Sequence, residues 1–113
     1  MGKKEFIPEK VPVRKRESGE RAGDFDEVVL GYGVEEARRE AARCLGCKKR
    51  PCVAGCPVRI DIPGFALAIA GGDIEGAVAR IKEENLLPGV CGRVCPQEKQ
   101  CEQLCILGRK GDP

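Results

Sequence analysis

Cys44-Leu45-Gly46-Cys47-Lys48-Lys49-Arg50-Pro51-Cys52-Val53-Ala54-Gly55-Cys56-Pro57 is the stretch that decides how this chain folds. Its cysteines fall at C-x2-C-x4-C-x3-C-P spacing. A second group follows as Cys91-x3-Cys95-Pro96-x4-Cys101-x3-Cys105. The two groups use all eight cysteines of the chain, and the chain has no histidine. Imidazole ligation of zinc, copper or a Rieske centre is thereby excluded within the chain, as is a Cys–His nucleophilic pair.

Composition narrows what those thiols are for. A chain of 113 residues makes one small domain. Only 4% of it is aromatic. Aromatic side chains normally supply much of the buried area in a small core, so another source of stability is needed. The net charge of +2 gives no reason to expect nucleic acid or a membrane surface as partner. No apolar run approaches a bilayer span. Met1–Arg21 lacks an apolar signal core, and Glu5, Glu9, Glu17 and Glu20 set it apart from an acid-poor transit peptide. The expectation is a cytoplasmic protein. Thiols stay reduced there, so clustered cysteines point to metal or redox work rather than disulfides.

A cubane cluster needs four thiolates at the corners of a tetrahedron. A C-x2-C turn supplies two adjacent corners and a cysteine a few residues on supplies a third. The fourth comes from elsewhere, because one short loop rarely wraps the whole cube. The first group resembles the ferredoxin run C-x2-C-x2-C-x3-C-P with a longer middle spacer, and in that run the Cys before Pro serves the other cluster. Transferring that logic gives a crossed assignment to two [4Fe–4S] clusters. Cys44, Cys47 and Cys52 hold cluster one, completed by Cys105. Cys56 joins Cys95 and Cys101 on cluster two, with Cys91 as a candidate fourth ligand. The competing reading is a zinc-stabilised structural or interaction domain without a redox role. Zinc also takes four thiolates, but its usual form is paired C-x2-C knuckles, and only one C-x2-C occurs here. Lys48, Lys49, Arg50, Arg59, Arg93, Lys99, Arg109 and Lys110 flank the cysteines. Nearby cations would stabilise an anionic reduced cluster, although solvated surface charge is the simpler account of each one.

The remaining pattern is helical. Residues 1–26 form a charged arm, extended or disordered, without periodicity. Phe25-Asp26-Glu27-Val28-Val29-Leu30 is the first apolar patch and a possible docking point for it. Residues 27–113 form the cluster domain. Val34–Cys44 reads as a helix with an apolar side and an exposed face of Glu–Arg pairs, Glu40/Arg43 among them. Gly46 suits a left-handed turn. Ile62–Ala70 is a second helix, with Asp61 as N-cap, Pro63 in its first turn and an apolar stripe of Ile62, Phe65, Ala66, Ile69 and Ala70. After Gly71-Gly72, Asp73 caps a third helix. Shorter helices are expected from Pro88 to before Pro96 and from about Glu98 to Leu107. No strand is convincing, and the fold class expected is all-α.

At this point a family can be named. Phe25-Asp26-Glu27-Val28, Ala41-Ala42-Arg43-Cys44-Leu45-Gly46-Cys47, Cys52, Gly55-Cys56-Pro57, Asp61-Ile62-Pro63, Cys91-Gly92-Arg93-Val94-Cys95-Pro96, Cys101 and Cys105 resemble the N-terminal iron–sulfur domain of the glutamate synthase small (β) subunit. The same domain opens the large subunit of NADH-dependent reduced ferredoxin:NADP oxidoreductase and dihydropyrimidine dehydrogenase. The resemblance covers about Phe25 to Pro113. It implies an α-helical ferredoxin-like fold with two [4Fe–4S] clusters that relay electrons between FAD and a further redox centre. FAD and NAD(P)H would bind in further domains, since no G-x-G-x-x-G follows a strand here. It implies as partners the chain's own downstream flavin domain and a large subunit or ferredoxin-type protein. The chain thus reads as the first domain of a longer flavoprotein, not catalytic on its own. In some relatives a glutamate or glutamine soon after the domain's end ligates cluster two, and the cysteine matching Cys91 is a mere neighbour. The resemblance therefore leaves Cys91 or a residue beyond Pro113 as the fourth ligand.

Overall fold

A computed structural model describes residues 4–113, so the first three residues of the expected arm lie outside the described residues. The chain is predominantly helical. Its elements run β1 (Arg14–Lys15), α1 (Ser18–Arg21), β2 (Val29–Gly31), α2 (Val34–Ala42), α3 (Pro51–Gly55), α4 (Ile62–Ala70), α5 (Ile74–Glu84) and α6 (Pro88–Val94). Three 3-10 turns follow, at Gln97–Lys99, Glu102–Leu104 and Ile106–Arg109.

The hairpin of α4 and α5 forms for the reasons its sequence gives. Asp61 accepts the Gly64 N–H at 3.1 Å, and Asp73 accepts the Gly76 N–H at 2.9 Å. Each satisfies an amide that the first turn leaves without a partner. Gly72 takes φ +88 between the helices, a backbone state costly to any residue with a Cβ. α4 packs on both α2 and α5. α2 starts where the Glu36 carboxylate reaches back to the Gly33 N–H at 2.8 Å. The side chain of buried Asn85 accepts the Leu87 N–H at 2.9 Å, turning the chain from α5 toward α6.

Several expectations are corrected. The all-α class gives way to a helical fold with one antiparallel ribbon, in which Arg14 pairs with Gly31 and Lys15 with Val29. Strands of two and three residues offer no alternation to read. Their register is held instead by Arg16, which grips both carboxylate oxygens of Asp24 at 2.7 Å and so closes the excursion between the strands. The arm meets the rest of the chain twice, through the hydrogen bonds of residues 4–11 and through the ribbon, where Lys15 pairs with Val29 of the apolar patch and the Arg16 N–H donates to the Val28 carbonyl, while Phe25 of the same patch is fully exposed. The helix expected over Glu98–Leu107 is a chain of 3-10 turns, because Cys105 is extended (φ −67, ψ 130) and breaks any helical run. The Glu40–Arg43 pair forms at 2.7 Å, but Arg43 is only 2% exposed because the arm covers it.

Candidate iron–sulfur centre

The cysteines sit at element ends for a local reason. The residue before a proline is pushed out of helical geometry. Cys56 before Pro57 therefore ends α3 (ψ 123), and Cys95 before Pro96 ends α6 (ψ 126). Cys44 and Cys47 occupy the loop after α2, where Gly46 takes φ +62 and tightens the C-x2-C turn. Cys52 lies in the first turn of α3, whose entry residue Arg50 is itself left-handed (φ 45, ψ 55). That conformation is uncommon for a residue with a Cβ, and here the Arg50 guanidinium is tied to Asp61 at 2.9 Å. Asp61 also holds Arg80 of α5 at 3.2 Å. One carboxylate thus caps α4 and links it to the cysteine loop and to α5.

Cys44, Cys47, Cys52 and Cys105 line one cavity of about 400 Å³. Ile62, Phe65, Ala66 and Ile69 of α4 form an apolar wall, so the helix's stripe faces this space. Burial pushes the Cys52 thiol up, and the Cys44 and Cys105 thiols beside it push the same way. The Cys101 thiol, which also borders the cavity, is raised first by burial, then by the charge of Glu102, with further contributions from Cys95 and Cys56. Cys101 therefore neighbours Cys95 and Cys56, as Cys52 neighbours Cys44 and Cys105. Cys91, in α6, is exposed and the others are partly buried; all eight are free thiols.

Donor chemistry and spacing fit an inorganic cluster. Sulfur is the ligand iron–sulfur clusters take, and five cysteines, Cys101 with the four above, stand around the cavity. Among the described residues no three Cys, Asp or Glu side chains gather closely enough for a single metal ion. A zinc ion would draw its sulfurs to about 2.3 Å.

Two residues at the site escaped the sequence reading. The Cys95 thiol donates to the Gln100 side-chain carbonyl at 3.1 Å. With Cys95 deprotonated, the same amide turned over would present its N–H group to the sulfur. Only its place beside Cys101 hints at this. Arg43 is the other: among the described residues it is the buried cation, and it borders the cavity. The flanking cations picked out from sequence are exposed instead, with Arg50 and Arg93 paired to Asp61 and Glu27.

Residues 21–113 match the protein family described as dihydropyrimidine dehydrogenase domain II, 4Fe-4S cluster. The chain belongs to this family. It is 40% identical over 100 residues to the glutamate synthase [NADPH] small chain of Halomonas elongata, covering 88% of this chain and 20% of that protein. It is 36% identical over 93 residues to the glutamate synthase [NADPH] small chain of Azospirillum brasilense, covering 82% and 19%. It is 41% identical over 81 residues to the NAD-dependent dihydropyrimidine dehydrogenase subunit PreT of Salmonella typhimurium, covering 72% and 20%. The chain spans a fifth or less of the length of these curated relatives. As a member of the domain II family it is an iron–sulfur electron-transfer domain of the oxidoreductase type. Among the described residues no helix is long and apolar enough to cross a membrane.

Proposed function

We propose that this chain is a two-cluster electron-transfer module with an α-helical ferredoxin-like fold. Cys44, Cys47, Cys52 and Cys105 hold one [4Fe–4S] cluster. Cys56, Cys95 and Cys101 hold a second, with Cys91 or a residue beyond Pro113 as fourth ligand. The observation that supports this most directly is the shared cavity of Cys44, Cys47, Cys52 and Cys105, thiols from both sequence groups. The neighbourhood of Cys101 with Cys95 and Cys56 supports the second site, and the exposure of Cys91 favours a ligand from elsewhere.

When bound, such a cluster supplies a one-electron store without making or breaking substrate bonds. The chain's own part is to hold eight sulfur positions on short turns and keep water from one set with the α4 stripe. In a longer flavoprotein of the glutamate synthase small-chain type, residues 1–26 would be the arm and 27–113 the cluster domain. Electrons would pass between FAD, reduced by NAD(P)H in further domains, and a large subunit or ferredoxin-type partner in the cytoplasm. Anaerobically purified protein is expected to be brown, with broad visible absorption and about eight irons and eight sulfides per chain. A colourless, zinc-loaded protein ends this reading, and about four irons reduces it to one cluster.

A further inference from the structure

Residues 4–11 precede the stretch that matches the domain II family, yet they are hydrogen-bonded to residues that line its cavity. The Lys4 ammonium donates to the Cys44 carbonyl. The carbonyls of Ile7 and Pro8 accept from the Arg43 guanidinium at 3.1 and 3.3 Å. The Lys10 ammonium pairs with Glu102 at 3.0 Å. The Val11 N–H donates to Glu40 at 2.8 Å, and its carbonyl accepts the Tyr32 hydroxyl at 2.6 Å. Cys44, Arg43, Glu102, Glu40 and Tyr32 all line the cavity. The tail closes over the same segment. The Asp112 N–H donates to the Pro8 carbonyl at 2.7 Å, the Lys10 N–H to the Asp112 carboxylate at 3.0 Å, and Arg43 to the Asp112 carbonyl. Gly111 lies so near the Pro8 carbonyl that a Cβ has no room.

A charged segment without periodicity has no apolar stripe to dock by. Its register here is set by hydrogen bonds, and those named run to residues of one cavity or to the tail beside it. Arg43 is the centre of the arrangement. A buried guanidinium must be paired and hydrogen-bonded to be tolerated, and its partners are Glu40 and the carbonyls of both chain ends. It directly precedes Cys44. We propose that residues 4–11 are a strap, clasped by Arg43 and Tyr32, that braces Tyr32, Glu40, Arg43 and Glu102 of the lining from behind, resists opening of the cavity of Cys44, Cys47, Cys52 and Cys105, and so limits the access of solutes to a cluster held there. This rests on the ligand assignment proposed above for those four thiols.

The test is iron release from anaerobically reconstituted full-length chain to the ferrous chelator bathophenanthroline disulfonate. When opening is faster than capture, release tracks the population of the opened state. Tyr32→Phe removes one hydrogen bond and leaves the ring. A bond of about 1 kcal/mol corresponds to roughly fivefold faster release. Val11→Pro removes the N–H that Glu40 accepts and acts alike. Deletion of residues 2–11 accelerates release further, by more than roughly tenfold, as several bonds go together. The acceleration is confined to the phase that Cys44→Ser abolishes. Release at the wild-type rate in both point variants, or equal acceleration of both phases, overturns the strap. Wild-type chain that takes up no iron overturns the ligand assignment and the strap together.

Discussion

Gly55→Ala probes how the two cysteine groups are held together. Gly55 ends α3 one residue before Cys56, and α3 packs on the Glu102–Leu104 turn. A Cβ built on Gly55 would lie 2.7 Å from the Gln100 carbonyl oxygen and 3.1 Å from Leu104 Cδ1. The leucine tip can swing aside, but a backbone carbonyl cannot without carrying its peptide. Reaching an ordinary contact of 3.4 Å moves that peptide by about 0.7 Å. Gln100 receives the Cys95 thiol and directly precedes Cys101, so the shift parts Cys56 from Cys95 and Cys101. Metal constellations tolerate about 0.5 Å. Helix propensity favours the alanine by at most ~1 kcal/mol, and overpacking opposes it by ~1–3 kcal/mol. With the full propensity gain the net effect is a loss of up to about 2 kcal/mol, expected at the second proposed site. Iron and sulfide content after anaerobic reconstitution is the assay, with Gly92→Ala as control, since a Cβ there meets nothing within 4 Å. The variant is expected to hold about half the inorganic content of the control. Equal content in the two proteins would refute the claim that close backbone approach at Gly55 sets the second site.

Cys44→Ser is expected to lose iron from the cavity site, while Cys91→Ser keeps near wild-type content, because Cys91 is exposed and the other seven cysteines are partly buried; equal losses by iron analysis would make Cys91 a ligand. Asp61→Ala removes the cap of α4 and two ion pairs. The cap contributes about 1 kcal/mol and the half-exposed pairs little more, so a loss of roughly 1–2 kcal/mol in denaturant midpoint is expected, and an unchanged midpoint would contradict it. Stripping the metal is expected to collapse the dispersion of amide NMR signals, whereas sharp, dispersed signals from metal-free protein would show that the polypeptide packs without it.

The parts of this fold legible in sequence are those fixed by neighbours a few residues away. Asp61 and Asp73 announce their helices because a cap acts over three residues, and the apolar period of α4 is the stripe that meets the cavity. Cysteine grouping was equally plain. What could not be read depends on contacts distant in sequence. Glu40 and Arg43 pair as helical spacing predicts, yet nothing local says that Ile7 and Asp112 will bury the arginine. The Cys101-x3-Cys105 spacing reads as one helical face, but the extended backbone at Cys105 aims that sulfur by a break in the helix. α3 was missed because it begins from left-handed Arg50, a conformation its sequence does not advertise.

The arrangement also explains how so few apolar residues make a domain. Among the described residues the buried apolar side chains are Pro63, Ala66, Ala77 and Leu107, none of them aromatic. The α4 helix packs on α2 and α5, and the stripe of Ile62, Phe65, Ala66 and Ile69 also borders the cavity that the thiols line. Metal–thiolate bonds made only in the folded state add their free energy to folding. For four-ligand structural zinc sites that is of order 10–16 kcal/mol, as large as the whole stability of a typical domain at ~5–15 kcal/mol. A cluster held by Cys44, Cys47, Cys52 and Cys105, as proposed, would therefore stand where a core otherwise does. It would join the loop after α2 to the turn before Ile106. On that proposal the electron-carrying group and the structural centre of the domain would be the same object, and a substitution that loosened one would loosen the other.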